Sequence, residues 1–118
     1  MSEREQVAAT IAYCIDDAAI VAFLDDRPAA AKALADKNRI QDVRVINTRD
    51  RQTPLTSQVA ERIYDLRCRI VHSKDSDNET MPPIRPFERE SRLMRHDLSL
   101  IRFIAQRILI ASSRSAPW

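Results

Sequence analysis

Apolar residues recur at helical spacing along most of the chain. Val7, Ile11, Cys14, Ala18 and Val21 step by 4, 3, 4 and 3, which predicts a first helix over residues 2–24. Asp16 and Asp17 fall off that seam and read as solvent-facing. Pro28 suits a first helical turn, and the alanines and Leu34 behind it predict a short second helix to about Lys37. That helix is weakly apolar, so tertiary contacts must hold it. The "VRVIN" segment, residues 43–47, has strand-like composition, but nothing else in the chain offers it a strand partner. It is read as part of a short helical turn and loop. Leu55, Val59, Ile63, Leu66 and Ile70 step by 4, 4, 3 and 4 and define a third helix, with Thr53 as N-cap and Pro54 at its first position. A polar loop with three prolines, "SKDSDNETMPPIRP", ends it. A long last helix is expected from about Phe87 to Ser112. Met94, Leu98, Ile101, Ala105 and Ile108 form one seam of it; Leu100, Ile104 and Ala111 form a second, with Phe103 and Ile110 beside them. A helix apolar over so much of its circumference needs cover on more than one side, and a second copy of the chain can supply part of it. Residues 1–112 read as one domain and 113–118 as a loose tail.

Composition narrows the class. The 118 residues contain no glycine and six prolines. A P-loop or a GxGxxG turn needs glycine where backbone approaches phosphate, so both are excluded. Hairpin turns also lean on glycine, which leaves an all-α bundle of four to five helices. Hydrophobic residues make up 44% and charged residues 31%, the balance of a folded domain rather than a disordered tail. The opening "SEREQ" lacks a leader pattern, and no apolar run approaches the roughly 20 residues of a membrane span. A cytoplasmic protein with no membrane partner and with reduced Cys14 and Cys68 is therefore expected. Charge is split along the chain. Residues 1–50 carry 7 basic and 9 acidic side chains, and residues 51–118 carry 12 and 8. The basic half also holds both histidines, a hint of a polyanionic partner, although an ordinary arginine-rich surface accounts for the charge alone.

The chemistry-bearing stretch is "YDLRCRIVH", Tyr64 to His72, at the end of the third helix. Asp65 and Arg69 are four apart and are expected to pair along the helix surface. Arg67 and His72 differ by about 140° around a regular helix. One straight helix does not unite them, so either its end distorts or a second copy supplies the other group. Basic residues in a last turn also simply complement the helix dipole. Cys68 and His72, with Cys14 and His96 elsewhere, lack the paired spacing of a zinc site, and the cysteines are better read as core residues. No nucleophile elbow is present. Arg89, Arg92 and His96, with Arg85 just before them, form a basic stripe that can hold RNA phosphates, or a solvated face balanced by Glu88 and Glu90.

Arg67, four intervening residues and His72, ahead of a polar loop and a long apolar helix, resemble the Arg-x4-6-His motif of the HEPN superfamily. "IYDLRCRIVHSKD" looks like the Y-x-x-R-x-x-I-V-H segment of HEPN proteins of the ApeA-like kind. The resemblance implies a helical bundle, commonly dimeric. It implies a metal-independent ribonuclease of toxin–antitoxin, abortive-infection or antiviral systems, working without a cofactor. Arg67 and His72 would be the catalytic pair, with Tyr64, Cys68, Arg69 and Lys74 as supporting candidates. RNA, a second copy and an antitoxin or other partner protein are the implied partners. Cys68 stands where the family often has a polar residue, typically Asn, and Lys74 stands where some toxins carry Tyr. The same pattern also fits a non-catalytic HEPN-like module that dimerises or docks a partner.

Overall fold

The structure is a computed structural model that describes residues 2–72, 92 and 94–115. Its described residues form five helices and no strand: α1 Glu3–Cys14, α2 Asp17–Asp25, α3 Pro28–Ala35, α4 Leu55–His72 and α5 Arg95–Ser115. The all-α architecture matches the sequence reading. Residues 113–115, expected in a loose tail, belong to α5. The expected start of the last helix at Phe87 lies outside the described residues.

The single first helix expected over residues 2–24 is two helices, bent by 81°. Ser2 opens α1 with a reciprocal capping box to Glu5. After Cys14 the backbone of Ile15 turns extended and its side chain enters the core. Asp16 then starts α2, its carboxylate accepting from the Ala19 amide at 2.8 Å. The break also re-aims the chain. Ala18 and Val21, on the expected seam, are exposed, and Ile20, Phe23 and Leu24 are buried instead. Asp17 is not idle. Its two carboxylate oxygens accept from the Leu55 and Thr56 amides, both at 3.1 Å, so α2 caps the start of α4. Thr53, the expected cap, instead has its carbonyl bound by the Gln58 side chain.

The core collects Ile11, Ile15, Ile20, Phe23 and Leu34 against Val59, Leu100 and Ile104. A smaller cluster of Ile40, Val43, Leu66 and Met94 anchors the link between α3 and α4. That link, residues 36–54, has turns but no regular element. Asp42 adopts a left-handed φ of 62°, a conformation glycine would take if the chain had one.

What holds the link is a row of polar side chains on α4. Gln58 accepts from the Asn47 amide at 2.7 Å and donates to the Asn47 carbonyl at 3.1 Å. Arg62 donates to the Arg44 carbonyl at 2.9 Å, and Asp65 accepts from the Arg44 amide at 3.0 Å. Arg69 donates to the Gln41 carbonyl at 3.1 Å. Positions 58, 62, 65 and 69 thus meet residues 47, 44 and 41 in reverse order. The strand-like segment 43–47 does have a partner, and it is the side of a helix. Buried backbone groups must be bonded somewhere, and here side chains do what a sheet ladder would. No single helix among the described residues is long and apolar enough to cross a membrane.

Candidate functional site

The arginines of α4 have separate destinies. Arg62 is buried, and its guanidinium meets the buried Asp97 of α5 through two hydrogen bonds, from Nε to Oδ1 and from Nη2 to Oδ2. Arg69 is buried as well, which overturns the expected surface pair with Asp65. Asp65 instead receives the Arg44 amide and, at 3.4 Å, the guanidinium of Arg4. The reason is angular. The buried stripe of α4 runs through Leu55, Val59, Arg62, Leu66 and Arg69, one position off the expected series at Ile63 and Ile70. Arg67 lies about 200° around the helix from Asp65. It is 53% exposed and pairs with Glu3 across 2.8 Å.

The first turn of α1 therefore lies over this part of α4. Arg4 stacks on the Tyr64 ring, 4.5 Å from its centroid, and Tyr64 is half-buried beneath it. Glu3 holds Arg67 from the same turn. Cys68 is half-buried with a free thiol. His72 is the last residue of α4, and the helix is regular up to it. Its Cα sits about 7–8 Å further along the axis than that of Arg67, and about 140° around it. The described backbone from Arg67 to His72 is α-helical throughout. The His72 side chain, Lys74 and Arg89 lie outside the described residues. Beside Glu3, an open apolar groove of about 500 Å³ runs between α1, α4 and α5, walled by Val7, Ile63, Ile101 and Ile108.

The basic stripe divides. Arg92 is exposed. His96, on the first turn of α5, is partly buried and lines a different cleft, with Arg27, Ala29, Ala30, Arg95 and Ser99. Burial, then Arg95 and Arg39, hold its imidazole below the usual 6.5, against a smaller opposing effect of Asp97. Cys14 lies in a third place, a depression shared with Asp16 and Arg107. No group of three or more His, Cys, Asp or Glu side chains among the described residues is arranged to hold a metal ion.

Sequence reading missed Arg62, Asp97, Gln58 and the capping role of Asp17. The available signal was the row Gln58, Arg62, Asp65, Arg69, which repeats at 4, 3 and 4, the spacing of an apolar seam. Polar residues at seam spacing beside a seam mark a helix that binds backbone.

The class these features define is an all-α helical bundle. No family model, no curated protein and no solved structure matches this chain.

Proposed function

We propose that this chain is a HEPN-type, metal-independent endoribonuclease that cleaves single-stranded RNA, acting as a homodimer in a toxin or antiviral defence setting in the cytoplasm. One observation carries the reading: of the three arginines in α4, Arg62 and Arg69 are buried in structural roles, and Arg67 of the Arg-x4-His motif is exposed. Attack by a 2′-hydroxyl on its own phosphate needs a base, an acid and a cation for the crowded phosphorane. His72 is the residue suited to move protons near neutral pH. Arg67 suits the phosphate, because its planar fork binds two oxygens at once. In this reading the 140° offset along a regular α4 is met by a two-fold partner, which sets one chain's His72 near the other's Arg67. Leu98 and Leu109 on α5, 60% and 66% exposed, give such a dimer apolar surface to bury. An antitoxin or other partner protein would cover the same site.

The second reading is a non-catalytic module of the same architecture that dimerises or docks a partner. It is favoured by the Arg67–Glu3 ion pair, which occupies the guanidinium, and by Cys68 following Arg67. The test is incubation of the purified chain with single-stranded RNA in EDTA, beside Arg67→Ala and His72→Ala. Cleavage by the parent and by neither variant supports the catalytic pair. Cleavage that persists in both variants removes Arg67 and His72 from the mechanism. An intact substrate with the parent favours the module, and activity abolished by EDTA alone defeats the metal-free mechanism.

A further inference from the structure

A cleft of about 350 Å³ lies between the start of α3 and the first turns of α5, away from the Arg67 motif. Its volume falls in the range of sites that hold small molecules, roughly 300–1,000 Å³. Among the described residues, the ionisable groups lining it are Arg27, Arg95 and His96, all of them basic. Arg39, in the link, is close enough to act on His96, and its Nε is buried without a hydrogen-bond partner among the described residues. Asp97 is the acidic group that acts on His96, and its carboxylate is buried in the pair with Arg62. The cations therefore gather in one concavity, and the carboxylate that acts on His96 among the described residues is already paired with Arg62. Ala29 and Ala30 line the same cleft. They sit at the start of α3, whose N-cap residue Arg27 makes no side-chain cap, and the first amide described as bonding back along the helix is that of Ala31, to the Arg27 carbonyl. The positive end of the helix thus adds to the same field.

We infer that this cleft binds a phosphate group, carried on a small phosphorylated molecule. Several cations facing one small volume favour a dianion over a carboxylate, because each guanidinium gains with every added unit of ligand charge. Arg27 is held in place by its own contacts, lying 4.2 Å over the Phe23 ring and donating to the Phe23 carbonyl at 3.3 Å. A smaller neighbouring depression shares Arg27 and Ser99 and is lined by Arg102, Phe103 and Gln106, which offers an apolar wall and an amide to the body of the molecule. Binding is linked to protonation of His96. The charged groups acting on it are Arg95 and Asp97 on α5 and Arg39 in the link, with Arg27 across the cleft. In the free protein the imidazole proton is held weakly. A bound dianion reverses that, so binding raises the pKa of His96. Affinity for the dianion is then greatest with His96 protonated and falls as pH rises through the bound-state value, while protonation of the ligand's own phosphate, with a second pKa of about 6, weakens binding at the acid end.

The chain has two histidines, so its imidazole NMR signals are few, and His72→Ala assigns them. The experiment follows the His96 ring during titration with inorganic phosphate, adenosine 5′-monophosphate, adenosine, acetate and chloride at matched ionic strength. Saturable binding of the two phosphates with an upward shift of the His96 titration is the expected result, the nucleotide binding more tightly than the bare ion. Arg95→Gln should weaken phosphate binding roughly tenfold, because a charge-assisted bond is lost. Arg49→Gln, an exposed charge on the link, should leave it unchanged. The proposal is overturned if phosphate acts no differently from chloride, if adenosine binds as well as its monophosphate, or if the two arginine variants behave alike. None of these outcomes depends on RNA cleavage, so the cleft and the ribonuclease reading stand or fall separately.

Discussion

Removing Asp97 should be the most damaging single polar change in this protein. Both side chains of the Arg62–Asp97 pair are 2% exposed. Asp97→Ala leaves a buried guanidinium whose remaining bond among the described residues is to the Arg44 carbonyl. Breaking a buried pair from one side costs about 3–5 kcal/mol, because the surviving charge is neither solvated nor matched. Domains of this size have total stabilities of about 5–15 kcal/mol, so the loss is a large fraction. At an m-value of about 2 kcal/mol per molar urea, the unfolding midpoint should fall by about 2 M. Replacing both partners with apolar residues, Arg62→Met with Asp97→Leu, should recover most of that. The double variant removes both charges and leaves the Arg44 carbonyl unmet, at about 1 kcal/mol. Urea unfolding of the two single variants and the double completes the cycle. The reasoning fails if Asp97→Ala lowers the midpoint by less than about 0.5 M. It fails equally if the double variant is as unstable as the two singles summed.

Asp17→Ala should cost about 1–2 kcal/mol, because one carboxylate caps α4 through two amides; a neutral result in thermal unfolding would remove the α2–α4 cap from the account. Gln58→Leu leaves the Asn47 amide, the Asn47 carbonyl and the Thr53 carbonyl without their side-chain partner. The expected loss is about 2–3 kcal/mol, with faster hydrogen exchange at Asn47, and unchanged exchange there would refute it. Arg67→Ala breaks an ion pair exposed by half and should change stability by less than about 1 kcal/mol, so that lost RNA cleavage in this variant reports chemistry and not folding. Circular dichroism melts decide this, and a large drop would make Arg67 a structural residue. Glu3→Gln frees the same guanidinium and should raise affinity for single-stranded RNA, at most about fivefold; weaker binding in that variant would count against Arg67 as the phosphate contact.

The helices were legible wherever an apolar period met a clear boundary. Pro28 opened α3 as expected, and the residues from Leu55 to His72 are helical as expected. The bend between α1 and α2 was not, because Val7 to Val21 keeps a helical period straight through it. Periodicity reports which residues can share a face. It does not report that Asp16 can cap a new helix, or that Ile15 gains more by entering the core than by continuing a helix. The two aspartates were discounted for lying off the seam, and that is where caps must lie.

The placement of the candidate residues was legible in part for a related reason. Arg67 stands out in the sequence by its place in a motif, and the structure shows it exposed. Arg69 looked equally available, and Arg62 drew no attention, yet both are buried. A long arginine can occupy an apolar stripe when its head meets a carbonyl or a carboxylate. Hydropathy therefore assigns it to the wrong face, while spacing assigns it to the right one. Arginines at 62 and 69 fall in register with Val59 and Leu66, whereas Arg67 does not. The link needed that register: residues 41–47 have no strand to bond, and the row on α4 supplies the missing groups. Once those arginines are committed to the link and to Asp97, Arg67 is the arginine of α4 left at the surface. Its carboxylate partner there is Glu3, on the first turn of α1.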